Sequence, residues 1–261
     1  MIRILFAWLC ATMVSAAGTV TIVSNLGQSA NAVQSFGSAF DTNMNVAGPF
    51  TTDNTPGALS RISIHLFGTY HPFGGLGPVV ISLYSDSAGV PGSSLAVLSG
   101  NNFPTNEGVY TFTNTTPLTL APNTTYWVVA SSPSSITNAT YSFGLVPVST
   151  LDPGSFWTLG LEKYKIGNGP WSANSYYPQM SVTVTPVAPP MSISLAAGGI
   201  LNTVTVSYPT PDYAFDLKQT SDLATAGWVN AIGEKTTVQT NHTFVRFPLS
   251  GSKMFFRLDL H

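Results

Sequence analysis

Cysteine is almost absent from this chain of 261 residues, which has only Cys10. A single cysteine forms no intrachain disulfide, and it excludes the paired cysteines of zinc ribbons and thiol redox motifs. Histidine is also scarce, with four residues, and none of them lies in an H-E-x-x-H motif. We therefore expect a fold that is held together by packing alone.

Charge is the second scarcity, since only 8% of the residues are charged, against about a quarter in ordinary soluble domains. No basic residue lies between Arg61 and Lys163, so the sequence has no cluster of Lys and Arg for a phosphate backbone or an anionic membrane. Hydrophobic residues make up 44% of the chain, enough to build a core. The composition predicts no nucleic-acid partner and is typical of extracellular β-proteins that meet neutral polymers.

Residues 1–17 have the parts of a secretory signal peptide. Met1-Ile2-Arg3 is a basic start, residues 4–14 are an apolar run, and Ser15-Ala16-Ala17 supplies small residues for cleavage. The apolar run is too short to span a bilayer. A lipoprotein signal at Cys10 is disfavoured because the large Leu9 precedes it. We predict an exported protein, extracellular or in the cell envelope, with no membrane span after cleavage.

Apolar and polar residues alternate with a period of two along most of the chain. Residues 58–67 and 179–185 alternate most regularly, which is typical of half-buried antiparallel strands. Residues 79–85 and 125–131 are more apolar throughout and predict central strands. Turn signals such as Pro91-Gly92 separate these segments. The sequence therefore predicts an all-β fold, namely a jelly-roll-like antiparallel β-sandwich.

A proline-rich segment at residues 185–190 divides the chain. Three prolines within six residues form a short, stiff spacer. We predict a first β-sandwich at residues 18–187, a linker at 188–190 and a second, small β-sandwich at 191–261. The second unit is small for an independent core, so we expect it to gain stability from the first.

Nothing in the sequence indicates a catalytic constellation, and we predict that the protein is not an enzyme. There is no G-x-S-x-G nucleophile elbow. The histidines are His65, His71, His242 and His261, and we expect them in solvent-facing or turn positions. The alternative is a secreted glycan hydrolase that uses two carboxylates of the first unit. Against it, Asp53, Asp86 and Asp152 lie in turn-like contexts, where Asp caps its own backbone.

One segment has a partial calcium-loop pattern. Asp41, Asn43 and Asn45 carry oxygen-bearing side chains at alternating positions, like the opening of an EF-hand loop. Val46 stands where that loop needs glycine, and no glutamate follows at the required spacing. An Asx-rich turn accounts for the pattern better. These three residues are the only calcium candidates, and we predict no other cofactor.

Aromatic residues crowd the segment 154–178. They are Phe156, Trp157, Tyr164, Trp171, Tyr176 and Tyr177. Exposed Trp and Tyr rings suit pyranose rings and partner proteins. The alternative is that these rings belong to the core and fix a long loop that has no disulfide. The predicted ligand-binding residues are Tyr164, Trp171, Tyr176 and Tyr177. The predicted partner is a neutral polysaccharide or an envelope protein.

A set of ordered segments carries a family resemblance. The segments are Gly48-Pro-Phe-Thr-Thr52, Leu59-Ser-Arg-Ile-Ser-Ile64, Ile81-Ser-Leu-Tyr-Ser-Asp86, Pro91-Gly92 and Leu118-Thr-Leu-Ala-Pro-Asn-Thr-Thr-Tyr-Trp-Val128. Together they resemble the choice-of-anchor R domain of secreted bacterial proteins, over most of residues 19–186. The resemblance implies an exported β-sandwich joined to a surface-sorting tail, and it brings no catalytic residues. It also matches Trp157 and Trp171 to recurrent tryptophans, which favours a structural role for both.

The C-terminal part departs from that family, because it has no Pro-Glu-Pro motif, closing apolar span or terminal Arg cluster. Phe215–Leu223, Trp228 and Phe255–Leu258 instead resemble a small β-domain that closes many secreted proteins of Verrucomicrobia and relatives. This second resemblance implies export and attachment to a partner or surface. We therefore expect an exported, non-catalytic binding or structural protein, with a glycan or exopolysaccharide as the favoured ligand. A matrix component without a discrete ligand is a further alternative.

Overall fold

The fold was described from a computed structural model. The described residues are 18–39, 42–54, 56–70, 77–132, 139–148, 150–187, 192–196, 203–209, 215–221, 227–232, 234–238, 242–248 and 255–260. Every regular element in these ranges is a β-strand, which confirms the predicted all-β class. The same ranges contain no helix with the length and apolarity to cross a membrane. The predicted signal peptide and the linker at 188–190 lie outside them.

The first sheet contains 15 strands. They are β1 (Val20–Ser24), β2 (Ala32–Ala39), β3 (Thr42–Thr51), β4 (Gly57–Tyr70), β5 (Val80–Asp86), β6 (Pro91–Gly100), β7 (Gly108–Thr113), β8 (Thr119–Leu120), β9 (Thr125–Ser131), β10 (Ala139–Val146), β11 (Thr158–Leu159), β12 (Lys163–Ile166), β13 (Ser172–Ala173), β14 (Tyr177–Pro178) and β15 (Met180–Pro186). Strand β4 contains the alternating segment 58–67, β15 and β5 overlap the segments 179–185 and 79–85, and β9 coincides with 125–131.

Eight of these strands close into a ring. Their hydrogen-bonded order is β4-β7-β6-β5-β9-β3-β2-β10, and β10 returns to β4 through pairs such as Phe143–Leu66. The neighbours around the ring are antiparallel. Closure of a sheet pairs the edge strands that would otherwise be exposed. Strands β8, β11, β12, β14 and β15 pair with strands of the ring, while β1 pairs with β15 and β13 with β12.

Closure of the sheet distinguishes the ring from the predicted jelly-roll sandwich, although its strands are unevenly paired. Strands β6 and β7 share only the pairs Ser99–Thr113 and Gly100–Phe112, whereas β5 and β9 are paired from Val80 to Ser85. A sandwich consists of two separate sheets. Here one continuous sheet closes on itself, and the β6–β7 joint is one of its shortest connections.

The interior of the ring is the main core. Along β4, Ile62, Ile64 and Leu66 are fully buried, as the alternation predicts. Phe50 of β3 stacks on Trp157, with ring centroids 5.7 Å apart and planes at 4°. Burial of one such side chain contributes about 1.5–3 kcal/mol. Trp157 is therefore a core residue.

Strands β3 and β9 also carry a second, smaller apolar cluster on their outward faces. It consists of Ala47, Trp127 and Val129, with Tyr84 and Trp171 packed against it. Since side chains alternate across a strand, Val46 of the main core and Ala47 face opposite sides of the sheet. We call Ala47, Trp127 and Val129 the outer cluster.

The C-terminal part contains two small sheets with one hydrophobic cluster. The strands are β16 (Ser192–Ala196), β17 (Thr203–Pro209), β18 (Phe215–Thr220), β19 (Val229–Asn230), β20 (Glu234–Val238), β21 (His242–Pro248) and β22 (Phe255–Leu260). Their orders are β16-β17-β21-β20 and β19-β18-β22. The cluster joins Val206 and Phe247 of the four-stranded sheet to Leu217 of the three-stranded sheet. The two C-terminal sheets therefore pack on a common core.

Candidate functional site

The aromatic segment 154–178 contains short strands that attach to the ring. Strand β12 pairs with β3, with Tyr164 opposite Val46 and Lys165 opposite Asn45. Strand β13 pairs with β12, and β14 pairs with β10. The segment is therefore joined to β3 through β12 and to β10 through β14, by backbone hydrogen bonds within the sheet.

These pairings separate the four predicted ligand-binding residues. Tyr164 packs against the main core, and Tyr177 lies opposite Val146 on the β10 side. Tyr176 is partly buried, and its carbonyl oxygen accepts a hydrogen bond from the Glu162 amide. Trp171 alone of the four packs on the outer cluster. The structure does not bring the four rings into one patch.

Trp171 lines a groove on the outward face of β3 and β9. The groove has a volume of about 390 Å³. Its lining includes Asn43, Asn45, Tyr84, Ser132, Lys165 and Trp171. We call this feature the outer groove. It combines two aromatic side chains with amide, hydroxyl and ammonium groups.

The two aromatic residues of the groove are anchored from below. Tyr84 and Trp171 are both only partly buried and both pack on the outer cluster. Beneath them, Trp127 donates a hydrogen bond from Nε1 to Asp86 Oδ1 over 2.7 Å. Because Trp127 is packed and hydrogen-bonded, it gives the rings a rigid support. A flat ligand could contact such rings without first ordering a loop.

One lysine ammonium group lies near each of two tryptophan rings on this face. Lys165 Nζ lies 5.1 Å from the centroid of the Trp171 ring, and Lys163 Nζ lies 5.7 Å from that of Trp127. A cation at this distance from a ring is stabilised by about 0.5–1 kcal/mol at an exposed site. The contact holds the Lys165 ammonium at the wall of the outer groove.

Ser132 borders the outer groove, but its hydroxyl group does not open onto it. The residue is only 2% exposed, and its Oγ has less than 1 Å² of accessible surface and no hydrogen-bond partner in the described part of the chain. A buried polar atom without a partner costs about 1–3 kcal/mol. The Ser132 hydroxyl is therefore enclosed by the protein and offers no contact to a ligand in the groove.

Glu162 lies immediately before β12 and is completely buried. Its Oε2 accepts a hydrogen bond of 2.6 Å from Asn174 Nδ2, and its Oε1 has no partner among the described residues. Burial raises the pKa of Glu162 to about 7, and the Asn174 hydrogen bond lowers it only in part. Its backbone is hydrogen-bonded to Tyr176 and Asn174. Glu162 thus holds together the two ends of the segment that carries Lys165 and Trp171.

Three other described carboxylates of the first unit, those of Asp86, Asp152 and Glu107, have separate partners. Asp86 accepts hydrogen bonds from Trp127 and from the Gly89 amide. The hydrogen bond from Gly89 is the predicted turn cap. Asp152 accepts a hydrogen bond from the Ser24 hydroxyl. Glu107 lies 3.5 Å from His65. These carboxylates are engaged in structural contacts on different elements.

His65 belongs to a network that sequence reasoning did not find. Its Nδ1 lies 2.6 Å from Gln179 Oε1, so Nδ1 donates to the amide oxygen. Gln179 Nε2 in turn donates to the Gln28 carbonyl. The side chain of His65 is 16% exposed, so it lies on the polar face of β4 but is only partly open to solvent. The partners are distant in sequence, so no local signal predicts the network.

The calcium candidates lie in a different environment from the predicted turn. Asn43 and Asn45 are on strand β3 and line the outer groove, while Asp41 lies outside the described residues. A strand does not have the curvature of an EF-hand loop. No group of three or more His, Cys, Asp or Glu that could hold a metal occurs in the described ranges. The two amides instead supply hydrogen-bonding groups to the groove.

Comparison with known proteins adds no relative, because no protein-family model and no curated protein matches the chain. The function must therefore be argued from the outer groove.

Proposed function

We propose that the chain is an exported, non-catalytic glycan-binding protein, and that its ligand lies in the outer groove. The observation that carries the proposal is the pair Tyr84 and Trp171, which flank the outer cluster beside a groove with side-chain amides. Aromatic rings offer apolar faces to pyranose rings. The amides of Asn43 and Asn45 supply both donors and acceptors for sugar hydroxyls.

The groove also suits a polymer better than a small buried ligand. Tyr84, Lys165 and Trp171 remain partly exposed, so a chain of sugars lying across them would keep much of its surface in water. Such polar, wet contacts are individually modest. We expect weak affinity at each site, with useful retention arising from several copies on a surface.

Export and attachment complete the proposal. Residues 1–17 are proposed to direct secretion to the cell envelope or the exterior. Residues 18–187 are proposed to be a choice-of-anchor R-like binding unit built on the closed ring, and residues 191–261 a small β-sandwich that attaches the protein to a partner or surface. The shared cluster of the two C-terminal sheets supports the second unit.

Affinity electrophoresis tests the proposal. The protein without residues 1–17 is run in native gels that contain dextran, xylan, galactan, alginate or polygalacturonate. We expect retardation by at least one polymer, and loss of it in Trp171→Ala and Tyr84→Ala. The matched control is Phe103→Ala, because Phe103 is 50% exposed and does not line the groove.

Each outcome bears on the proposal directly. Retardation that persists in both groove variants would place the ligand elsewhere and overturn the assigned site. Absence of retardation by every polymer would overturn glycan binding. Thermal melts of the same variants separate loss of the ligand contact from loss of the fold.

A further inference from the structure

We infer that the glycan of the outer groove is acidic, with carboxylates of uronic-acid type, and that Lys165 binds one of them. This inference rests on the proposed glycan-binding function and narrows it. The low charge of the sequence favours a neutral polymer, but the structure places two of the few basic residues on the face that contains the groove.

The distribution of charge in the first unit is the first argument. Its described bases are Arg61, Lys163 and Lys165, and its described acids are Asp53, Asp86, Glu107, Asp152 and Glu162. Although acids outnumber bases, two of the three bases occupy alternate positions of β12. Side chains two residues apart on a strand share a face, about 6.5 Å apart. The groove face is therefore locally basic on an acidic unit.

The state of the neighbouring acids is the second argument. Glu162, adjacent to Lys163, is completely buried and points away from solvent. Asp86 already accepts hydrogen bonds at both oxygens, from Trp127 and from the Gly89 amide. Among the described residues, neither Lys163 nor Lys165 forms an ion pair. Asp86 keeps its charge in these hydrogen bonds, but no carboxylate of the described residues lies within ion-pair distance of either ammonium group.

The placement of Lys165 is the third argument. Its Nζ lies over the Trp171 ring at 5.1 Å, and the residue lines the groove beside Asn45. Contact with the ring restricts the long side chain before any ligand arrives, which lowers the entropy cost of binding an anion. A sugar carboxylate beside Trp171 would meet an ammonium group and the Asn45 amide together. A hydroxyl at the same place would gain less from that charge.

The test compares an acidic polymer with a neutral one of related sugars. Binding of sodium polygalacturonate and of neutral galactan is measured by affinity electrophoresis at about 20 mM and about 500 mM sodium chloride, so that the salt changes the screening length severalfold. The variants are Lys165→Gln, the charge-conserving Lys165→Arg, and the control Arg61→Gln on β4, which removes an equal charge outside the groove.

We expect the wild type to bind polygalacturonate more tightly than galactan and to lose much of the difference at high salt. Lys165→Gln should weaken polygalacturonate binding at low salt about five-fold, as for one partly exposed ion pair. Lys165→Arg and Arg61→Gln should stay close to wild type.

The failures of the two proposals are distinguishable. Equal binding of both polymers, independent of salt and of Lys165→Gln, would overturn the acidic ligand while leaving glycan binding intact. Polygalacturonate binding that falls equally in Arg61→Gln would show unspecific attraction and would also overturn the role of Lys165. If neither polymer binds at either salt concentration, both proposals fail for this class of glycan.

Discussion

Replacing Glu162 with glutamine is expected to remove a pH dependence of stability that the wild-type protein shows near neutrality. The carboxyl group is completely buried, with one oxygen bonded to Asn174 and the other without a partner among the described residues. Burial raises its pKa from 4.5 to about 7. In the unfolded chain the same group is solvated and titrates near its ordinary value.

The sign follows from these two pKa values. The folded state binds the proton more tightly than the unfolded state, so protonation of Glu162 favours folding. Its contribution is complete below about pH 4.5 and is lost progressively as the pH rises to about 7. The difference between the two pKa values corresponds to roughly 3 kcal/mol in the free energy of unfolding.

Urea unfolding at about pH 5 and about pH 8 measures the effect, since these values lie on either side of the titration. The free energy of unfolding of the wild type should be lower at about pH 8 than at about pH 5, by most of the roughly 3 kcal/mol given above. Glu162→Gln keeps the shape of the side chain and an acceptor for Asn174, and should give similar stability at both pH values. The control is Glu107→Gln, whose carboxylate side chain is 59% exposed, and it should retain most of the wild-type dependence.

The reasoning would be refuted if Glu162→Gln lost stability with rising pH as steeply as the wild type. A wild type that gains stability over the same interval would refute it too. Because the Glu162 backbone is bonded to Asn174 and Tyr176, the same titration should loosen the segment that carries Trp171. Glycan retention is therefore expected to fall above about pH 7 in the wild type and to stay constant in Glu162→Gln.

Further predictions concern packing and covalent state. Gly100→Ala should lower the free energy of unfolding by about 1–3 kcal/mol, because a Cβ there would lie 2.5 Å from Phe112 Cδ1 at the β6–β7 joint. Urea unfolding measures the loss. The control is Gly108→Ala, where the nearest contact of the new Cβ would be 3.9 Å. Trp157→Ala should lower the free energy of unfolding by about 3–5 kcal/mol. Trp171→Ala should lower it clearly less, because Trp171 is partly exposed. Equal losses in the two variants would assign Trp171 to the core. Protein secreted from a host should lack residues 1–17 by intact mass, and its melting temperature should not change with dithiothreitol, since Cys10 would be removed.

The sequence predicts strands that alternate in polarity or are apolar throughout. Strand β9 coincides with the predicted segment 125–131, and β4 and β15 contain the most regular alternation. Strand β3 was not predicted as one element, because Asn43, Asn45 and Pro49 interrupt its apolar character. It forms because β9 pairs with it on one side and β12 covers part of the other. Such support is tertiary and leaves no local pattern.

Ring closure and the short strands are equally non-local. The contact of β10 with β4 joins residues far apart in sequence, and a two-residue strand such as β11 is too short for a detectable period. Residue patterns favoured two sheets for this reason, since alternation specifies which face is buried but not whether a sheet closes. The β6–β7 joint shows how little pairing the closure needs.

The site was predictable only in part. Trp171 belongs to the predicted set and lines the groove, whereas Tyr164 lies on the face of β12 that packs against the main core. Tyr84 was missed because it lies within an apolar segment that predicts a central strand, and only the strand's alternation turns its ring outward. Lys165 reaches the same groove through the pairing of β12 with β3. A surface assembled from several strands is set by register, which sequence patterns do not specify.

The most direct measurement of glycan binding at the outer groove is a titration of the ¹⁵N-labelled protein with oligogalacturonate, followed through the indole N–H signals in NMR spectra. Trp171→Phe assigns the Trp171 signal, and Trp157→Phe assigns the core signal. We predict that the Trp171 signal shifts progressively and saturates, while the signal of the buried Trp157 stays in place. An unchanged Trp171 signal at oligosaccharide concentrations that retard the protein in gels would contradict binding in this groove.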